Sequence, residues 1–315
     1  MKTPVRLRII IRIFGVLVLF LAGCVTNPPP LDDNGNNQNN TGHIDLAPFG
    51  TDATLEIATW NIRNFPSGPT RNQTIADVVE IIRDLDIDVF AVQEIADTTA
   101  FRQVLDSLAD YAGVYSSDTY SNGYQKTGVI YRKTLLTLTA RTQLFEDDWY
   151  AFPRPPLKVH LRAERNGKVF DFNLIVLHLK AKGGSDNIAR RRDAVQKLHQ
   201  YVTSQIQGGD DPDYVLAGDW NDELLDPDSV NVFLPFLNDA VNFVMLTLPL
   251  AQQGDYSYIG YYRSLIDHIV LTTSIQTEFP DIVTEVIHID EVYSAYKENV
   301  SDHRPVATRI PVWSN

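Results

Sequence analysis

"DYVLAGDWN" (residues 213–221) decides the fold. A short apolar run, Tyr214 to Ala217, stops at Gly218, Asp219 and Asn221. A run of this length bounded by turn residues is a buried strand with a polar end. The same form recurs on either side. "LEIATWNI" (55–62) carries Asn61 near its end, "DVFAVQE" (88–94) ends in Glu94, and "KVFDFNLIVLHLK" (168–180) runs through His178. Asp267 sits inside "SLIDHIVLT" (264–272), and Asp302-His303 opens the strand "RPVATRIPV" (304–312). If these strand ends converge, they gather carboxylates, amides and imidazoles in one cleft.

Between the first two strands, "TIADVVEIIRDL" places Ile75, Val78, Val79, Ile82 and Leu85 on one helical stripe, giving a βαβ-like unit. "TGVIYR" (127–132) and "LKVHLRAE" (157–164) read as further strands, the latter turning at Asn166-Gly167. A helix is expected over 187–206, with Ile188, Val195, Leu198 and Val202 roughly on one face. Many strands with few helices in this order predict an α/β fold, a two-sheet sandwich with helices outside.

The chain begins with a basic segment (Lys2, Arg6, Arg8, Arg12) and an apolar stretch from Ile9 to Ala22. This is the form of a secretory signal. Leu21-Ala22-Gly23-Cys24 resembles a lipobox, so residues 1–23 are expected to be a lipoprotein signal peptide and Cys24 the lipidation site. Cys24 is the single cysteine of the 315-residue chain, which excludes an internal disulfide. Residues 24–50 are rich in Asn, Pro and Gly and are expected to be a disordered tether. Residues 51–315 then form one domain of a size usual for a single α/β unit. The expected location is the cell envelope, with lipid anchoring to the membrane. Val25 after Cys24 favours the outer membrane.

The formal charge is −13 and becomes about −17 without residues 1–23, whose only charges are the four basic residues above. This argues against non-specific, charge-driven nucleic-acid binding. An enzyme that recruits divalent cations tolerates it, because the ion supplies local positive charge.

Singly, each polar residue has a plainer reading. Asn61 and Asn221 can be turn formers, Glu94 a solvated strand end, His178 a hydrogen-bonded core residue, and "GDWND" a polar loop. Asp267 inside an apolar strand is harder to explain, because an unpaired buried charge is costly. As an ordered set they fit metal-assisted phosphoester hydrolysis. Carboxylates suit Mg²⁺, a His oriented by a carboxylate suits a general base, and amides can donate to a crowded phosphate. Soft ligands for a structural zinc site are missing.

The segments "WNIRNF", "VFAVQE", "LIVLHLK", "LAGDWND", "SLIDHI" and "SDHRPV", in this order over about residues 55–312, resemble the endonuclease/exonuclease/phosphatase superfamily, and within it the deoxyribonuclease I branch. The resemblance implies a four-layer α/β/β/α sandwich and a Mg²⁺-dependent phosphodiesterase, with Mn²⁺ or Ca²⁺ as substitutes. Glu94 would be the main metal ligand, with Asn61 beside it and Asp302 assisting. His303 would be the general base oriented by Asp267, and His178 a phosphate ligand or acid. Asp219 and Asn221 would position the nucleophile and stabilise the transition state. Arg63, Arg154, Lys180 and Tyr124 would contact substrate. One departure is "NGYQKTGVIYR", where Gln125 and Lys126 stand in place of an acid that would partner His178.

Lys180, Lys182, Arg190, Arg191 and Arg192 form a basic patch in an acidic chain, suited to phosphate contact. A solvated helix face explains Arg190 and Arg192 equally well. The favoured function is an extracytoplasmic nuclease acting as a monomer on DNA, with RNA left open as a further substrate. The alternatives are a sphingomyelinase-like phosphodiesterase or phosphatase on a lipid headgroup, and a non-catalytic binding lipoprotein.

Overall fold

The computed structural model describes residues 44–117 and 125–314. The signal segment, Cys24, most of the tether and Tyr124 lie outside the described residues. In chain order the strands are β1 (Leu55–Phe65), β2 (Val89–Ile95), β3 (Tyr111–Tyr115), β4 (Lys126–Arg132), β5 (Leu136–Gln143) and β6 (Leu157–Arg165), followed by β7 (Lys168–His178), β8 (Tyr214–Asp219), β9 (Phe243–Met245), β10 (Asp267–Thr272), β11 (Val283–Val286) and β12 (Val306–Ile310). The three longer helices are α1 (Arg71–Leu85), α2 (Thr98–Ser107) and α3 (Ser185–Gln207).

The strands form two six-stranded sheets, ordered β11-β12-β1-β2-β4-β3 and β5-β6-β7-β8-β10-β9. Strand alternation sorts their side chains into layers. Leu55 and Ile57 of β1, Val89 and Ala91 of β2, Leu174 and Val176 of β7, and Val215 and Ala217 of β8 fill the space between the sheets. The alternate residues Ala58 and Trp60, Phe90 and Val92 pack outward against α1 and α2. Ile175, Leu177 and Leu216 pack outward against α3 through Val195, Leu198 and Val202. The result is the α/β/β/α sandwich that the sequence predicts.

Helices α1 and α2 start where side chains satisfy their free N–H groups. Thr70 Oγ1 accepts from the Gln73 amide before α1, and Asp97 Oδ1 accepts from the Thr99 and Ala100 amides before α2. α1 ends at Asp86, in the left-handed conformation.

The tether boundary moves. Residues 44–50, assigned to it by composition, belong to the folded unit because Ile44, Leu46 and Phe49 are buried in the layer under α1. The Ile44 amide donates to Glu80 Oε1 at 2.9 Å and the Phe49 amide to the Leu85 carbonyl at 2.9 Å. Three apolar residues in a short segment suffice to dock it, whatever the composition around them.

Strand direction positions the site. β1 runs parallel to β2 and β7 parallel to β8, so these four end on the same side of the sandwich. β10 is antiparallel to β8 and β12 antiparallel to β1, so both begin there. Asp219 pairs in register with His178 on one side and Asp267 on the other.

Candidate active site

Side-chain parity carries the polar residues into the gap between the sheets. Asn61 shares a face with Leu55 and Ile57, His178 with Leu174 and Val176, Asp219 with Val215 and Ala217, and Asp267 with Ile269 and Leu271. The apolar interlayer therefore gives way, at one end, to a buried polar cluster. Gly218 allows β7 and β8 to approach just before Asp219. A Cβ there would lie 2.1 Å from the Leu177 carbonyl oxygen.

His303 closes the cluster from the first sheet. Its Nδ1 lies 2.8 Å from Asp267 Oδ2, and its Nε2 lies 4.0 Å from Asp219 Oδ2. Asp267 belongs to β10 of the second sheet, whereas His303 stands just before β12 of the first. The pair is sealed by hydroxyls that sequence reading missed. Ser257 Oγ donates to Asp267 Oδ2 at 2.6 Å. Ser301 Oγ donates to the Asn61 carbonyl at 2.6 Å and accepts from the His303 amide at 3.0 Å. Serine in a polar loop carries no signal that marks such a role.

On the other flank, Asn61 Nδ2 donates to Glu94 Oε1 at 3.2 Å and Asp219 Oδ2 at 3.0 Å. His178 Nε2 lies 3.4 Å from Asp219 Oδ2 and 3.8 Å from Glu94 Oε1. The acid missing after Tyr124 is replaced by a cation. The Arg154 guanidinium lies along the His178 ring, with Nε 3.0 Å from Nδ1 and Nη2 2.9 Å from Nε2. Gln125 instead donates to Asn64 Oδ1.

The backbone is unusual at the same place. Arg63, Asn64, Glu94 and Asn221 all have positive φ, a conformation costly for residues with a Cβ and concentrated at functional sites. At Glu94 and Asn221 it turns the strand end, and the Asn221 amide donates to Asp219 Oδ1 at 3.0 Å.

Burial, and then the nearby Asp267, push the Asp219 pKa up to about 7. Burial opposes the charge on His303, but Asp267, Asp219 and Asp302 outweigh it and raise its pKa to about 10. Burial, followed by Arg154 and His303, holds His178 well below its ordinary value, so it is neutral.

Several expected positions fall elsewhere. Arg63 does not face the cleft, because its guanidinium donates to Ser67 Oγ and to the Lys297 and Glu298 carbonyls. The Asn61 side-chain oxygen Oδ1, expected beside a metal, accepts from the Arg63 amide at 2.9 Å. Asp302 is outside the tight group formed by Asp219, Asp267 and His303. Of the basic patch, Arg191 is buried and bonded to Asp222 at 2.8 Å, and Arg190 donates to the Tyr150 and Trp149 carbonyls. Lys180 stays beside the cleft, and burial and then Arg190 and Arg154 lower its pKa. His268, next to Asp267, is a core residue held by Thr247 Oγ1 and the Asp222 carbonyl.

The donor set fits a divalent cation. The hard oxygens of Glu94 and Asp219 face each other across one amide, and Asp267 Oδ1 is buried with no hydrogen-bond partner among the described residues.

The model of the Endonuclease/Exonuclease/phosphatase family matches residues 58–303. The chain belongs to this family. Its enzymes hydrolyse phosphoesters and generally depend on a divalent metal. A search among curated proteins finds no match to the chain. Among solved structures, it is similar to the human Nocturnin catalytic domain with bound sulfate, at 17% identity and TM-score 0.60, covering 84% of this chain and 95% of that one. It is also similar to D. rerio TDP2 complexed with single strand DNA product, at 15% identity and TM-score 0.58, over 82% and 99% of the two chains. A third is the mannosyl-6-phosphatase of Bacteroides thetaiotaomicron, at 15% identity and TM-score 0.56, over 81% and 98%. These likenesses agree on the fold of the family.

Proposed function

We propose that this member of the family is a Mg²⁺-dependent phosphodiesterase that cleaves nucleic acid, DNA foremost, in the cell envelope. The observation that carries it is the His303–Asp267 pair facing Asp219, with neutral His178 on the far side. Asp267 accepts the Nδ1 proton of His303, which leaves Nε2 directed at the cleft as a base toward water. Asp219, held by Asn61 and the Asn221 amide, fixes that water between His303 and the phosphorus. Neutral His178 donates to a phosphate oxygen, and Arg154 behind it adds positive charge.

Glu94 and Asp219, with Asp267 Oδ1 nearby, would hold the cation, which supplies charge to polarise a phosphoryl oxygen and to stabilise the leaving oxygen. The charges of Asp267, Asp219 and Asp302, when uncompensated, also explain why His303 binds its proton so tightly. Lys180 beside the cleft supports a substrate with flanking phosphates.

Cys24 and the basic, apolar segment before it support a lipid-anchored protein of the outer membrane, and no partner subunit is required by the site. The lipid anchor would also bring the domain to sphingomyelin-like headgroups, which is the competing substrate class.

The test is hydrolysis by residues 24–315, with Mg²⁺, of plasmid DNA, RNA and sphingomyelin side by side, for native protein and His303→Ala. Cleavage of DNA that falls about 10²- to 10⁴-fold in the variant, without a change in circular dichroism, is expected. Near-native turnover by the variant, or turnover of sphingomyelin alone, overturns the proposal.

A further inference from the structure

The segment Tyr256–Ser264 carries aromatic surface that the hydrolytic chemistry leaves unused. Tyr261 is fully exposed and Tyr262 is 64% exposed. Tyr262 extends a row of rings that starts at His303. The Tyr258 ring lies 5.0 Å from the His303 ring, and the Tyr262 ring lies 5.2 Å from that of Tyr258. Tyr261 and Tyr262 go on to line, with Tyr256, Arg263 and Lys297, an open cleft of about 370 Å³.

The row is fixed to the reaction centre by main-chain bonds. Tyr258 bridges both Ser264 and His303. The Ile259 amide donates to the Asp302 carbonyl at 2.8 Å, and the Arg304 amide to the Ser257 carbonyl at 2.7 Å. Lys297 Nζ donates to the Gly260 carbonyl at 2.8 Å. Gly260 makes room for the first ring, since a Cβ there would lie 2.0 Å from the Tyr258 hydroxyl oxygen. A glycine, the main-chain pairings of Tyr258 with Ser264 and His303, and the Lys297 side chain hold this segment as a shelf rather than a loose tip.

Contiguous exposed aromatic surface marks a binding site. Rings held at fixed positions beside a phosphate site stack unpaired bases, and they do so with little regard to sequence because every base has a π-face. Half-buried Tyr258, the ring nearest the reacting atoms, ties the row to a group carried by the substrate itself. Bases inside a duplex are already stacked on one another and cannot use it.

Resting on the phosphodiesterase reading above, we propose that Tyr258, Tyr262 and Tyr261 form a stacking shelf for unpaired bases next to the scissile phosphate, which gives the enzyme a preference for single-stranded nucleic acid. The substrate strand lays its phosphate against His303 and His178 and its neighbouring bases along the tyrosines.

The test uses the full domain in the His303→Ala background, so that binding is read without cleavage. Three fluorescent probes are titrated: oligo(dT), a strand of the same length built of abasic residues, and a duplex. Tyr261→Ala/Tyr262→Ala should weaken oligo(dT) binding about tenfold or more, while the abasic strand binds both proteins alike and Tyr262→Phe keeps native affinity. Equal losses for oligo(dT) and the abasic strand, or no loss for either, overturn the shelf. Loss of binding to phosphatidylcholine/sphingomyelin vesicles with oligo(dT) binding intact also overturns it, in favour of a bilayer contact. Mg²⁺-dependent cleavage of oligo(dT) by the native chain is scored separately. Base-dependent binding without cleavage sinks the phosphodiesterase reading alone, and cleavage with base-independent binding sinks the shelf alone.

Discussion

Asp267 and His303 stand 36 residues apart in the chain, on β10 of one sheet and just before β12 of the other, yet their side chains meet at 2.8 Å in the gap between the layers. The carboxylate fixes the ring orientation and holds the Nδ1 proton, and Ser257 in turn fixes the carboxylate. Asp267→Asn keeps the shape and removes the charge. Turnover should fall about 10²- to 10⁴-fold with substrate affinity little changed. Ser257→Ala removes a buried hydroxyl that donates to Asp267 Oδ2 and accepts from the Ile266 and Asp267 amides, costs about 1–3 kcal/mol of stability, and should have a smaller kinetic effect. Steady-state kinetics of both variants check the order of the two losses.

The cluster binds protons that a cation must displace. The Asp219 pKa of about 7 and the His303 pKa of about 10 both lie above ordinary values. In metal-free protein the folded state therefore holds more protons than the unfolded chain. The contribution to stability is complete below the unfolded pKa values and is lost as pH rises, through about 7 for Asp219 and about 10 for His303. Mg²⁺ binding should release these protons, so its affinity should rise with pH by up to about tenfold per unit for each proton released. Calorimetric titrations between pH 6 and pH 9 in two buffers of different ionisation enthalpy give the proton count directly. A pH-independent affinity refutes the coupling.

How far the sequence reveals this depends on burial. β1, β2, β7, β8 and β10 are covered on both sides, so their apolar runs are unbroken and the polar residues at their ends stand out. The four strands that the sequence did not reveal, β3, β5, β9 and β11, are the sheet edges. Edge strands are short or half-solvated, and β5 (LTLTARTQ) mixes polar and apolar positions with no clean period. At the site, residues sharing one face could be inferred from strand parity. What the guanidinium of Arg63 bonds to, or that Ser257 and Ser301 hold the pair in place, depends on loops that meet only after folding.

Lys180 and Arg63 were grouped in the sequence as substrate contacts, and the structure separates them. Lys180 stands among Arg190, Arg154 and Lys182 beside the cleft, while Arg63 is spent on the Ser67 hydroxyl and two carbonyls. Lys180→Ala should reduce the slope of log affinity against log salt by about 1, the loss of one phosphate contact. Arg63→Ala should leave that slope alone and lower the melting temperature. Filter binding of an oligonucleotide across a salt series distinguishes the two.

Tyr296 links the outer core to the His303 main chain. Its buried hydroxyl accepts from Trp60 Nε1 at 2.9 Å and donates to the His303 carbonyl. Burial pushes its own pKa well above the ordinary range, so it stays protonated and able to donate at any working pH. Tyr296→Phe keeps the ring and leaves two buried groups without partners, the Trp60 N–H and the His303 carbonyl. Each such group costs about 1–3 kcal/mol, so the variant should lose at least about 2 kcal/mol by urea titration. The His303 main chain then keeps the Ser301 hydroxyl and the pairing with Tyr258 but loses the bond to its carbonyl, and turnover should fall with it. A variant that loses stability but keeps native turnover would show that Tyr296 serves the fold only, with the His303 main chain positioned by its neighbours.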